Sequence, residues 1–246
     1  RGARGACLFA ADDLAAGQGV VADTGAARGL YAELCDADVP TACFRLGGAL
    51  VDDDRPADAA RLFARACDDG LAAACTSLGF AHYAARGAPW DPGRARALYQ
   101  RSCDLGDAWG CANLGELLEL GVGAAPDPTA ARAHYQAACD QLGGAGCGRL
   151  AAMVERDDHD LAGARALYQR GCEDGDAEAC AGAAHASTDD APTRARLAQR
   201  AFDLAWAQAD DNPYAAYLLG QFHAAGVGTA SDRPAAVRWF ERACDG

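Results

Sequence analysis

The chain has 246 residues, 51% hydrophobic and 23% charged, which excludes a disordered tail and is long enough for an extended core. Its 22 basic residues face 35 acidic ones, a net charge of −13 that repels phosphate and makes nucleic acid and anionic membrane poor partners. Every basic residue is Arg, so chemistry that needs a Lys (a Schiff base, a phosphate-loop Lys, a Ser-x-x-Lys acylation motif) is excluded.

Taken in chain order, helices are predicted near 2–16 and 23–36, 41–51 and 56–68, 72–86 and 92–104, 108–120 and 128–140, 145–156 and 160–173, 177–186 and 191–206, and 213–225 and 232–244. They form about seven hairpins. The punctuation sets the boundaries: Asp91-Pro92, Asp127-Pro128 and Asp232-Arg-Pro234 place an acidic cap beside a Pro tolerated only in a first turn, while Gly87, Gly121 and Gly226 stop the preceding helix. Recurring Ala-x-x-x-Tyr/Phe and Leu-Gly positions put small and large residues at helical spacing, so that neighbouring helices approach closely. No apolar run reaches the roughly 18 residues that span a bilayer. Because the chain starts at Arg1, it is expected to be a processed or excised segment without its targeting sequence.

The cysteines set the period. Ten of the 12 fall in five pairs with seven residues between the members: Cys35 and Cys43, Cys67 and Cys75, Cys103 and Cys111, Cys139 and Cys147, Cys172 and Cys180. The first members are 32, 36, 36 and 33 residues apart, the period of a helical-hairpin solenoid. The unit is clearest in Asp91-Pro-Gly-Arg-Ala-Arg-Ala-Leu-Tyr-Gln-Arg-Ser-Cys103, and it is echoed before Cys139, Cys172 and Cys244. One unit lacks both cysteines: alignment puts Phe202 and Ala216 in their places and lengthens the connection by six residues through Ala209-Asp-Asp-Asn-Pro213. Joint loss is what a bonded pair predicts.

With this period, the Leu-Gly and Gly-Val-Gly signals and the paired cysteines, the chain resembles the Sel1-like repeat proteins, and within them the cysteine-rich branch typified by the Helicobacter cysteine-rich proteins. The resemblance implies an all-α fold, an α/α superhelical solenoid related to tetratricopeptide arrays. It also implies one disulfide per repeat, a single repeat domain over 1–246 cut within repeats at both ends, and export from a bacterial cell. Family members are mostly adaptors, and β-lactam binding or weak hydrolysis is attributed to some cysteine-rich ones.

Each disulfide would staple consecutive repeats and close a loop of about nine residues, worth roughly 2–3 kcal/mol in the entropic account. The alternatives are metal ligation and reduced thiols. Zinc ligands usually stand two to four residues apart, a spacing absent here, as is Cys-x-x-Cys-His. Disulfides would place the protein in an oxidising compartment, periplasmic or extracellular. Cys7 and Cys244 occupy second- and first-cysteine positions whose partners would lie outside the chain. They fit repeats cut mid-unit or, alternatively, head-to-tail association of chains through the end repeats.

No catalytic residue, metal ligand or cofactor site is assigned. His82, His134, His159, His185 and His223 are scattered over different repeats; His134 is expected to be core or half-buried, and His82 and His223 to serve helix C-termini. The clusters Asp52-Asp-Asp54, Asp157-Asp158-His159-Asp160, Asp189-Asp190 and Asp210-Asp211 lack a calcium-loop pattern and are read as caps and solvated connections. Ser77, Ser102, Ser187 and Ser231 sit in no nucleophile elbow.

A partner is expected along the first helices of the hairpins. Arg45, Ser77, Asn113 and Arg149 lie two places after the second cysteine; Glu116, His185 and Gln221 lie five places after it or its equivalent. The two arginines suit a partner carboxylate. Trp90, Trp109, Trp206 and Trp239 read as packing residues, with Trp109 the choice for an aromatic anchor. The function expected is a non-catalytic protein- or peptide-binding scaffold, the alternative a β-lactam-binding or weakly hydrolysing protein.

Overall fold

Proline and aspartate start the helices where the sequence places them. In the computed structural model, which describes residues 2–141, 146–187, 190–209 and 213–245, the order is α1 (Gly2–Ala16), α2 (Thr24–Asp36), α3 (Pro40–Asp52), α4 (Pro56–Asp68), α5 (Ala72–Tyr83), α6 (Pro92–Asp104), α7 (Ala108–Leu120), α8 (Pro128–Asp140), α9 (Cys147–Met153), α10 (Leu161–Glu173), α11 (Ala177–Ala186), α12 (Ala191–Gln208), α13 (Pro213–Ala225) and α14 (Arg233–Asp245). Among the described residues there is no strand, and the all-α hairpin-repeat class of the solenoid holds. Side chains of Asp23, Asp91, Asp160 and Asp190 accept backbone N–H groups in the first turns of α2, α6, α10 and α12.

The chain divides into two compact units, 1–128 and 129–246. In the first, α1–α2, α3–α4 and α5–α6 pack as hairpins; in the second, α9–α10, α11–α12 and α13–α14 do so. The Leu-Gly signal has a direct cause: a Cβ on Gly47, Gly79 or Gly220 would stand 2.5–2.6 Å from the ring of Phe63, Tyr99 or Phe240 on the partner helix. Only a bare Cα lets that ring lie flat on the first helix.

Five disulfides join the penultimate residue of one second helix to the start of the next first helix, its fourth residue in α3, α5, α7 and α11 and its first in α9: Cys35 to Cys43, Cys67 to Cys75, Cys103 to Cys111, Cys139 to Cys147 and Cys172 to Cys180, with Cα atoms 4.4–4.7 Å apart. All but Cys103 are nearly or fully buried. On α4, α6 and α10 an Arg two places before the cysteine braces the joint of the preceding repeat. Arg101 donates to the carbonyls of Cys67 (2.8 Å) and Asp68 (3.1 Å), Arg65 pairs with Asp38 (2.7 Å), and Arg170 with Asp140 (3.1 Å). Cys7 and Cys244 are exposed free thiols.

Three boundaries differ from expectation. α5 ends at Tyr83, because Ala85 already turns left-handed (φ 55°) before Gly87 (φ 83°). α9 is shorter than expected and widens into a π-helical turn, Val154–Asp158, closed by His159 in the left-handed region. The largest difference is in α12, whose 18 residues exceed the 13 of α10: the added residues lengthen the helix, and the loop does not grow as expected. Ala209 (3% exposed) joins Ala216 (1%) in the core, and Phe202 turns its ring edge to His223 at 5.4 Å. A Cβ on Gly228 would strike Ala198, the eighth residue of α12, whereas Gly87 meets Pro56, the first residue of α4. Hairpin α13–α14 is thus seated seven residues further along its neighbour, about 10 Å at 1.5 Å per residue. Asp189, Asp210 and Asp211 lie outside the described residues.

Candidate functional site

Counting from the second cysteine, places −2, +2 and +5 are spaced i, i+4, i+7 and share one face of each first helix. In the first unit that face carries Phe9 on α1, Arg45 on α3, Ser77 and Phe80 on α5, and Trp109, Asn113 and Glu116 on α7. Phe9, Phe80 and Trp109 are 72%, 48% and 60% exposed, while Ser77, Asn113 and Glu116 are half-buried. α1 and α3 are tied on this face by an ion pair of Arg45 with Asp12 (3.4 Å), and Asp12 also accepts the Tyr31 hydroxyl (2.6 Å). α5 is tied to the start of α7 by Thr76, which donates to Asp107 (2.5 Å).

In the second unit the same register gathers polar groups. Arg149 stands 3.5 Å from Glu178 and donates to the Tyr214 hydroxyl (3.3 Å), which itself donates to Glu178 (2.5 Å). Burial together with the Glu178 charge raises the Tyr214 phenol, so it stays a neutral donor. Tyr217 stacks on Tyr214 at 6.1 Å and accepts from Gln221 (2.7 Å). Behind them Asp176 caps α11 through the N–H groups of Glu178 and Ala179, and burial pushes its carboxyl up to about 6. His185 is exposed on α11.

Both guanidinium groups expected to await a partner carboxylate are therefore paired within the chain, Arg45 with Asp12 and Arg149 with Glu178. The tryptophans correct a second expectation: Trp90, Trp109 and Trp206 are 66%, 60% and 55% exposed. Trp206 meets Trp239 only edge to face, at 5.3 Å. Trp90 lies in the connection between α5 and α6, and Trp109 and Trp206 lie outside the core phase of their helices, which small Ala and Gly residues fill. Phe9, Phe80, Glu178, Tyr214 and Tyr217 were missed by a reading that followed polar residues at +2 and +5, although the same count reaches Phe9 and Phe80 and, extended to −2, Glu178 and Tyr214.

Other candidate groups have structural partners. Ser102 is buried and donates to the Ala72 carbonyl (2.8 Å); Ser187 and Ser231 bond to the carbonyls of Ala183 and Ala224. His82 Nδ1 lies 3.0 Å from the Pro89 carbonyl, and His134 is half-buried. Asp53 pairs with Arg28, and Asp157 and Asp158 with Arg132. Among the described residues no group of His, Cys, Asp or Glu is arranged to hold a metal ion, and no helix is long and apolar enough to cross a membrane.

Comparison with known proteins agrees with this geometry. The Sel1 repeat model matches residues 72–107, 110–141, 146–176 and 213–246, together more than half of the chain. No curated protein gives a match. Among solved structures, a Sel1 repeat protein from Oxalobacter formigenes is similar with TM-score 0.60 at 20% identity, over 83% of this chain and 85% of that one. The immunity protein Pa5087 from Pseudomonas aeruginosa is similar with TM-score 0.57 at 16% identity, over 84% and 81% of the two chains. Pseudomonas aeruginosa 5086 gives TM-score 0.57 at 17% identity, with the same coverage. At these identities the likeness is one of fold, and it joins the hairpin period, the Leu-Gly contacts and the repeat matches in one conclusion: the chain belongs to the Sel1 repeat family.

Proposed function

We propose that this chain is a non-catalytic scaffold that binds a protein or peptide along the first helices of its repeats, and that it works in an oxidising bacterial compartment, the periplasm or the medium. The observation that carries the reading is the exposed ring set Phe9, Phe80 and Trp109, at places +2, +5 and −2 on the same first-helix face of α1, α5 and α7. Exposed aromatic side chains gathered on one helix face are unfavourable in water and characteristic of recognition surfaces. Repeat scaffolds of this kind commonly serve protein interaction. Five closed disulfides, which a reducing cytosol would not maintain, support the oxidising compartment.

The test is site-specific photo-crosslinking in the native host, with the reactive residue at Phe80, at Trp109, or at Gln100 on the second helix α6. Partner adducts are expected at Phe80 and Trp109 and not at Gln100. Adducts confined to Gln100 would overturn the first-helix reading.

A further inference from the structure

We infer that the first-helix face of the first unit recognises a peptide segment that is both apolar and cationic. This rests on the scaffold reading above and specifies the chemistry of its partner. Two features select that chemistry. The first is the set of exposed apolar groups on this face: Phe9, Phe80 and Trp109, with Leu120 (59% exposed) about three turns beyond Trp109 at the end of α7, offer rings and an aliphatic side chain to the apolar side chains of a peptide. The second is charge. At the same register positions, continued one turn further to +9, stand Asp12, Asp52 and Glu116 against a single Arg45, and Arg45 is already neutralised by Asp12. The unit as a whole repeats that sign, since residues 1–128 hold 18 acidic residues against 11 Arg, a net of −7. A carboxylate-bearing partner would have to displace Asp12 from Arg45 and approach through a negative field. A Lys- or Arg-bearing partner gains from that field, which raises its association rate and favours the pairing.

Arg45 thus takes a different role from the one expected of it. It holds Asp12 in place between α1 and α3 and does not await a ligand carboxylate.

The experiment measures binding of fluorescently labelled peptides that share one apolar pattern and are strongly cationic, neutral or strongly anionic. They are titrated against the whole chain and its Phe80→Ala, Trp109→Ala and Asp52→Asn/Glu116→Gln variants. All the substituted side chains lie on the surface or half-buried, and circular dichroism checks the fold. The cationic peptide is expected to bind about tenfold or more tighter than the neutral one at low salt. The gap should shrink as salt is added and in the Asp52→Asn/Glu116→Gln variant. Either ring substitution should weaken binding by about tenfold or more. If neutral or anionic peptides bind as tightly and still lose affinity in Trp109→Ala, the charge inference fails and the face stands. If no peptide binds, or the ring substitutions leave affinity unmoved, the face itself is wrong.

Discussion

Ala85 stands where the equivalent connections of this sequence carry a left-handed glycine. Four connections run nine residues from a carbonyl near the end of a first helix to the N–H of the next helix's capping Asp: Leu14 to Asp23, His82 to Asp91, Leu118 to Asp127 and His223 to Asp232, at 2.8–3.1 Å. Their two left-handed positions are Gly17 and Gly19, Gly121 and Gly123, Gly226 and Gly228, but Ala85 and Gly87 in the His82 loop. A β-carbon there costs about 1–2 kcal/mol, partly offset by the lower unfolded entropy of Ala. Ala85→Gly is therefore expected to stabilise by about 0.5–1 kcal/mol in urea unfolding. At Asp176 the effect depends on pH. Its folded pKa of about 6 exceeds the ordinary 3.8 because burial penalises the carboxylate, so its stabilising contribution is full below about pH 4 and is lost as pH rises through 6. Asp176→Asn should be more stable than the parent by about 1–2 kcal/mol above pH 7, allowing for partial solvent screening, with the difference closing towards pH 4.

Among the elements, α12 matters most. It leads into the joint without a staple: Ala209 and Ala216 occupy the core where other joints carry a disulfide, and the α12–α13 contact rests on small apolar residues with Leu218, Leu219 and Phe222. Reductant removes a covalent link from every stapled joint and nothing from this one. Amide exchange measured with and without reductant should accelerate in the first turns of α3, α5, α7, α9 and α11, while α13 and α14 keep their protection. Acceleration in α13 of the same size as in α11 would show that its stability is borrowed through α12.

At the scale of the whole molecule, five closures of about nine residues each sum to an upper bound of roughly 15 kcal/mol, comparable to the entire stability of a domain. Intact protein alkylated without reduction is expected to carry two modified thiols, at Cys7 and Cys244. Twelve would mean a reduced protein in its native compartment and would remove the case for export. The Ala- and Gly-rich cores make the bridges consequential, because such helices bury little apolar area per residue. Full reduction should therefore lower the unfolding midpoint far more than any single substitution discussed here.

The sequence by itself determined the repeat, the helix starts and the all-α class, because capping Asp, first-turn Pro and a fixed cysteine period act within a few residues or recur at one spacing. It also placed Asn113 and Glu116 one turn apart on α7, since helical phase is a local property. Tertiary structure decided the rest. Whether α12 absorbed its extra residues as helix or loop depended on α13 finding a seat two turns further along. Whether Arg45 and Arg149 were available depended on Asp12 and Glu178, which are 33 and 29 residues away in the chain and become neighbours only when first helices stack. The exposed rings follow the same rule: a Phe or Trp in a helix is core or surface according to which side its neighbours take, and that is settled only by packing.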